Sequence, residues 1–379
     1  MTVAAPTSGR VKRANWRAIV LWAILGTGIG TGLCLADLQA TEPTLGGLVA
    51  AVPGTPLDAQ QRADGLTNSA AAGGHDGSQF YAIAHGPFDF DTLAGQLDRP
   101  RYRLQRILYP TVAWALHPGG GGSALVWTMF GVLVAGSLIG AVGTGLLSQT
   151  LRGPAWPAAV FGAAFGSIIS LRICTADQMG LGLAILAIAL SLRRHPVAAV
   201  AVAVAAVLTR EPSLFLLIGF AAWRRDRAGA LLVVVPGAVA AAWWLYLATQ
   251  VSGSLGVSEF VVPFTGVKDS IVFWYQSVSP ATQDSPAASE GPLGLLSALL
   301  GIGLGATALA KTGPRHPLWL PMCLSVVLLA FYSVNVLAPE RNAARVFLPI
   351  QVLAVVALVT QNADRRLLGP SEPRPTSPS

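Results

Sequence analysis

Charge is scarce: Asp, Glu, Lys and Arg make up 11% of the 379 residues, where soluble domains carry about 25%. That deficit excludes an ordinary soluble domain. The 53% hydrophobic content gathers instead into successive apolar runs of the ~20-residue length that crosses a ~30 Å hydrocarbon core. Cysteine is sparse too. Cys34, Cys174 and Cys323 each lie in or beside an apolar run without a pairing spacing, which argues against a disulfide framework and a zinc site. No Gly-Lys-Ser/Thr phosphate loop occurs, and nothing around Ser78 resembles a Ser/His/Asp arrangement, so soluble nucleotide chemistry and serine hydrolysis find no footing. A fixed-period repeat is also missing, which leaves a repeat-built transporter without support. The net charge of +7 does not indicate nucleic acid, because the basic residues stand mostly at the ends of apolar runs, where they set membrane orientation.

What is present reads as an all-α, polytopic transmembrane bundle: one domain over residues 1–368, then a disordered tail over 369–379. Arg10, Lys12, Arg13 and Arg17 precede the first span, 16–36, which is too long for a signal core and is expected to stay uncleaved. With both termini cytoplasmic in a plasma (inner) membrane, the basic connections alternate onto one side. Two outer loops result, 37–101 and 248–290. In the first, order is expected after Gly74, and the part through Ala72 is expected to be functional or disordered. Residues 102–116 are too short to span and read as an interfacial or re-entrant helix. Spans follow at 122–149, 155–171, 177–192, 229–247, 293–310, 318–338 and 343–360. Between them, 197–208 and 212–223 form either a hairpin, which parity favours, or one broken span.

The stretch Gly74-His75-Asp76-Gly77-Ser78-Gln79-Phe80-Tyr81 carries the first candidate chemistry. Asp76 is a glycine-flanked acid in an outer loop and the candidate catalytic carboxylate; the plain alternative is a solvated turn. Phe80 and Tyr81 are placed to hold that loop against a membrane surface or a sugar ring. Arg103 and Arg106, three residues apart, would share a helix face and suit a lipid-linked phosphate, with Arg210 as a third donor; headgroup anchoring is the alternative. Arg172 with Asp177, Arg210 with Glu211, and Glu340 with Arg341 and Arg345 lie at or near span ends and are either paired or functional groups, where buried, or snorkelling side chains and local ion pairs. A divalent metal at His75 and Asp76, with Asp89 or Asp91, stays open, although no ligand spacing stands out.

Three stretches together, His75-Asp76-Gly77-Ser78-Gln79-Phe80-Tyr81, Tyr102-Arg103-Leu104-Gln105-Arg106-Ile107-Leu108-Tyr109-Pro110 and Leu208-Thr209-Arg210-Glu211, resemble bacterial multi-pass glycosyltransferases of the GT-C type, including relatives of the GPI mannosyltransferases. The resemblance is best over residues 70–215. It implies that Asp76 acts on, or orients the base for, an acceptor hydroxyl, with a polyprenyl-phosphate sugar as donor. His75, Gln79, Tyr81 and Glu211 come with the same motifs. A second acid close to the first, usual in that family, is not evident, and Asp177 is only a distant substitute. The expected activity is hexosyl or pentosyl transfer from a polyprenyl-phosphate donor to a glycan or lipid acceptor on the outer face. A polytopic transporter or lipid flippase is the runner-up, and a non-catalytic protein that binds the same lipid is the third reading.

Overall fold

The computed structural model describes residues 14–67, 74–253, 260–277 and 286–361. The basic residues Arg10, Lys12 and Arg13 and the tail 369–379 lie outside the described residues. Everything regular among those described is helix; the one extended contact is an isolated antiparallel bridge between Phe260 and Tyr332.

A long first helix, α1 (Trp16–Thr41), leads through a 3₁₀ turn (Leu45–Leu48) into five short helices: α2 (Pro56–Ala63), α3 (Asp76–His85), α4 (Phe90–Gln96), α5 (Pro100–Leu104) and α6 (Leu108–Leu116). The bundle resumes with α7 (Gly122–Thr150), α8 (Pro157–Ala163), α9 (Phe165–Arg172), α10 (Asp177–Leu192), α11 (Pro196–Thr209), α12 (Ser213–Arg224) and α13 (Arg227–Gln250). It ends with α14 (Thr265–Ser277), α15 (Pro286–Thr312), α16 (Trp319–Phe331), α17 (Val334–Leu337) and α18 (Glu340–Val359). Among the described residues, five helices are long and apolar enough to cross a bilayer: α1, α7, α13, α18 and the 291–312 part of α15. Shorter apolar helices fill the space between them. The chain is therefore a helical membrane protein.

Small residues let these helices approach closely, as they do where lipid offers no competing apolar gain. A Cβ at Gly26 would lie 2.3 Å from the Ala159 carbonyl oxygen, which brings α1 onto α8. One at Gly140 would lie 2.8 Å from the Gly182 Cα, which does the same for α7 and α10.

Prolines explain where the expected segments break. Inside a continuous helix, the ring of Pro110 would clash with the Arg106 carbonyl and that of Pro212 with the Leu208 carbonyl. The stretch 102–116 accordingly divides into α5 and α6, and 197–223 folds as two helices joined at 210–212. Those two form a hairpin: Arg224 at the end of α12 donates to the Ser191 carbonyl, 2.7 Å away near the end of α10, and Arg210 at the end of α11 pairs with Asp177 at the start of α10. The segment 155–171 is also broken, at Ala164 (ψ 140°), into α8 and α9. In the last of these departures, 318–338 stops as a long helix at Phe331, and Val334–Leu337 is a separate turn.

Order in the first inter-span segment begins well before Gly74, contrary to expectation. Leu48, Val49, Leu57 and Leu66 are buried. A small core of Leu57, Ile83, Leu93, Leu97 and Leu104 docks on Leu247 and Val251 at the end of α13, where the Trp243 indole donates to the Leu104 carbonyl at 2.9 Å.

Contacts sort the ends of the bundle. At one end the Asn15 amide donates to Gln149, Trp223 donates to the Arg315 carbonyl, and Arg224 meets Ser191. At the other end Arg172 reaches back to Asp37 and Glu42 at the close of α1. That second end carries the cluster of charges described next.

Candidate functional site

Asp76 is not in a loop. It is the first residue of α3, and His75 caps the helix in an extended conformation (φ −155°, ψ 174°), its Nδ1 accepting the Gly77 N–H at 3.2 Å. The other ring nitrogen lies 3.1 Å from the Gly47 carbonyl oxygen, so Nε2 carries the proton and donates. Burial pushes the His75 pKa down to about 4 against the opposing pull of that carbonyl, and the ring is neutral at neutral pH. Gly77 is glycine because of proximity: a Cβ there would stand 2.4 Å from the Ile173 carbonyl oxygen and 2.8 Å from that of Leu48. The motif thus fixes a carboxylate at a helix start, where backbone N–H groups favour negative charge.

Around that carboxylate, charges from α3, α5, α10 and α18 and from the connections α4–α5, α5–α6 and α11–α12 alternate in sign. Arg103, at the end of α5, donates from Nη1 to Asp76 Oδ1 at 2.8 Å and grips both Asp98 oxygens through Nε and Nη2, each at 2.8 Å. Arg345, in the second turn of α18, donates from Nη1 to Asp76 Oδ2 at 3.3 Å and to Asp177 Oδ2 at 3.0 Å. It is held in place by a 2.9 Å bond from Nε to the Arg341 carbonyl and by the Asn342 side chain. Arg210 binds the other Asp177 oxygen at 2.8 Å. Alongside, Arg106 takes Glu211 with Nε and Nη2 at 2.7–3.2 Å, a two-donor fork. The Tyr102 ring lies under three guanidinium groups, 4.7 Å from Arg99, 5.4 Å from Arg103 and 4.4 Å from Arg106.

For Arg172 and Arg210 these pairings set aside the alternative of local pairs at span ends. Arg172 goes to Asp37, Glu42 and the Gly47 carbonyl rather than to Asp177. Arg210 takes Asp177, and Glu211 takes Arg106. Asp177, a distant substitute by sequence, shares one guanidinium nitrogen with Asp76 and so stands beside it. Burial pushes the Asp76 carboxyl up, but Arg103 and Arg345, helped by Arg106 and Arg210, outweigh it and hold the group well below the usual carboxylate range. Glu211, in the turn between α11 and α12, behaves likewise: burial raises it, and Arg106 and Arg210 bring it down to about 2.

The network borders a cavity of about 420 Å³. Five arginines (Arg99, Arg103, Arg106, Arg210, Arg345) and three carboxylates (Asp76, Asp177, Glu211) line it, and Asp98 behind Arg99 and Arg103 brings the balance of the network to +1. Its floor is apolar, with Leu214, Phe215, Trp244 and Val346. From there a narrow cleft of about 60 Å³ continues between α10, α12, α16 and α18, lined by Leu181, Leu216, Leu328 and Pro349 and sharing Asp177, Arg210 and Arg345 with the cavity.

Of the candidates drawn from sequence, Asp76, Arg103, Arg106, Arg210, Asp177 and Glu211 come together here. Gln79 stands on the far side of Asp76, its amide oxygen accepting the Asp98 N–H at 3.2 Å. Tyr81 is not in the cavity: fully buried, it donates to Asp64 at 2.6 Å and accepts the Gly122 N–H at 2.7 Å, a structural tie between α3 and α7. Phe80 is buried as well, packed edge-on against the Tyr109 ring at 5.4 Å. Asp89 caps α4 by accepting the Thr92 N–H. With both His75 nitrogens engaged and Asp89 turned to its own helix, the four residues considered for a metal do not converge. Among the described residues, no group of three or more His, Cys, Asp or Glu is arranged to hold an ion.

Sequence reasoning gives no site role to Arg99, Asn342, Arg345 or Tyr102, although Arg345 is noted as a span-end charge and Tyr102 lies within a motif. Arg345 carried a readable signal, an arginine one turn inside an otherwise apolar helix, which is costly in a bilayer unless the residue is paired or functional. Comparison of the chain with protein-family models, with curated proteins and with solved structures gives no match.

Proposed function

We propose that this protein is a membrane glycosyltransferase that moves a sugar from a polyprenyl-phosphate donor to an acceptor hydroxyl at the outer face of a plasma (inner) membrane. The observation that carries the reading is the arginine-rich cavity that shares Asp177, Arg210, Phe215 and Arg345 with an apolar cleft. A network that only locked helices together would balance its charges and fill its space, because unpaired buried charge is strongly destabilising. Here, with Asp98 counted beside the cavity-lining groups, five guanidinium groups meet four carboxylates, an excess of one positive charge beside a void large enough for a phosphate and a sugar. A lipid phosphate ester answers both halves: the phosphate takes the surplus guanidinium donors, and the prenyl chain follows Phe215 and Leu216 into the helices.

Asp76 is the group placed to act on the acceptor. In the transfer, the acceptor oxygen bonds to the anomeric carbon as the bond from that carbon to the phosphate oxygen breaks, and the electron pair leaves with the phosphate. The hydroxyl proton passes to Asp76 and then to water. Arg103, Arg106, Arg210 and Arg345 stabilise the charge that gathers on the departing phosphate. Arg103 and Arg345 hold Asp76 far into its ionised form, which makes it a weak base until a donor phosphate draws those guanidinium groups towards itself. Donor binding therefore precedes acceptor activation.

The test is transfer of labelled sugar from polyprenyl phosphate in membranes with equal amounts of each variant. Asp76→Asn keeps shape and removes the ionisable group, and should lower turnover by about 10²–10⁴-fold. Wild-type turnover in that variant would end the assignment. Retention of polyprenyl phosphate by the wild type without transfer from any donor would move the reading to a lipid flippase.

A further inference from the structure

A second cavity, of about 460 Å³, lies behind Asp76. It shares two lining residues with the first, Asp76 and Arg103. The remaining walls come from residues 52–57, 74–79 and 95–98, all in the segment between α1 and α7 and none in a helix apolar enough to span. The first cavity, by contrast, draws on α10, α12, α13 and α18 and drains into an apolar cleft. The Asp76 carboxylate is thus a partition between a compartment built from the bundle and one built from the short helices.

The chemistry of the two sides differs. On the far side Asp98 joins Asp76 and Arg103 as a charged group, its two oxygens both taken by Arg103. The uncharged hydrogen-bonding groups Thr55, Ser78, Gln79 and Gln96 stand beside the aliphatic Val52, Leu57 and Leu97. Amides and hydroxyls next to aliphatic carbon suit a ligand with many hydroxyls and one C–H face, and offer little to an anion or a prenyl chain. Both Asp76 oxygens already accept from arginine, Oδ1 from Arg103 and Oδ2 from Arg345. A carboxylate has about four lone-pair sites, so each oxygen keeps one for an incoming hydroxyl.

Resting on the transfer reading above, we infer that this second cavity is the acceptor subsite and that its ligand is an uncharged, hydroxyl-rich saccharide entering from water. A lipid acceptor is disfavoured because the cavity's walls come from short helices and connections, none of them apolar enough to span, with amides, hydroxyls and carboxylates beside the aliphatic carbon.

Gly95 gives a means of closing the cavity. It lines the far side alone, at an exposed position of α4, and a Cβ there meets nothing within 4 Å. Gly95→Trp should fill the space from a position that tolerates a side chain, and Gln96→Ala should remove one amide with little bulk change. The protein is reconstituted in nanodiscs. Retention of radiolabelled polyprenyl phosphate is measured first, followed by transfer from polyprenyl-phosphate hexoses and pentoses to a panel of neutral water-soluble oligosaccharides. Retention should be unchanged in both variants. Label should appear in a water-soluble product with wild type, with the acceptor KM raised about ten-fold or more in Gly95→Trp and by a smaller factor in Gln96→Ala. Label in a lipid-soluble product, label in no saccharide, or a wild-type acceptor KM in both variants overturns the acceptor assignment alone. A wild-type protein that retains no polyprenyl phosphate removes the donor reading, and this inference with it.

Discussion

Arg345 shows how much one side chain can hold in this site. One nitrogen serves carboxylates from two helices while the rest of the guanidinium is fixed by Arg341 and Asn342, and the side chain is 6% exposed against 26% for Asp76. A lysine keeps the charge but loses the fork, so it cannot satisfy Asp76, Asp177 and its own helix together. Arg345→Lys should therefore raise the donor KM about ten-fold with the fold retained. Arg345→Gln removes the charge and leaves two carboxylates facing each other; losing one partner of a buried pair costs about 3–5 kcal/mol, less here for the exposed part of Asp76. The pH dependence of that loss has a fixed sign. Because the folded-state pKa of Asp76 is depressed, its pairing adds stability that is present above the unfolded value of about 3.9 and is lost as pH falls towards the folded value. The melting gap between wild type and Arg345→Gln should thus be constant near neutrality and narrow only below the variant's own Asp76 pKa, which Arg103 still holds under the unfolded value of about 3.9. A gap that narrows already between pH 7 and pH 5 would contradict the pairing.

Among the elements, α3 is the one whose sequence is most easily misread. Gly74 and Gly77 around an acid look like turn chemistry, and Gly74 does take a positive φ of 66°. Gly77 is helical, however, and its lack of a side chain serves the approach of Ile173 and Leu48 rather than a turn. A one-dimensional pattern does not separate those two uses of glycine. Gly77→Ala should push α3 off the α9–α10 connection, costing about 1–3 kcal/mol, and should displace Asp76 enough to lower turnover as well. Gly28→Ala, where a Cβ meets nothing within 4 Å, is the matched control and should change neither melting nor turnover. Equal behaviour of the two variants would show that the close approach is not maintained. The same limit hid the ion pairs. Spacing along the chain suggested Arg210 with Glu211 and Arg172 with Asp177, but adjacent residues at a helix end point in different directions, and the partners arrived from other helices. Helix existence was legible from apolar length. The breaks at 106 and 210–212 were foreshadowed by Pro110 and Pro212.

Over the whole molecule, the bundle's two ends differ in charge, and that difference was legible because basic connections recur at a regular interval of apolar length. Arg193, Arg194, Arg224, Arg225 and Arg315 gather at the end where Asn15 meets Gln149. The cavity, with the short helices α2 to α6, occupies the opposite end. Positive charge adjacent to spans is retained on the cytoplasmic side of bacterial membranes, so the cavity end should face outwards, where a lipid-linked sugar and a water-borne acceptor can meet. Cysteine labelling decides this, provided that the reporters are exposed; Ser78 and Ser270 are buried and would be poor choices. Asp91, on the outward surface of α4, and His195, in the connection after α10, are both exposed. In a background with Cys34, Cys174 and Cys323 replaced, Asp91→Cys should react with a membrane-impermeant maleimide in intact cells. His195→Cys should react only after the membrane is opened. Labelling of His195→Cys in intact cells, with Asp91→Cys protected, would invert the bundle and place the cavity in the cytoplasm, where the donor and acceptor would have to be sought instead.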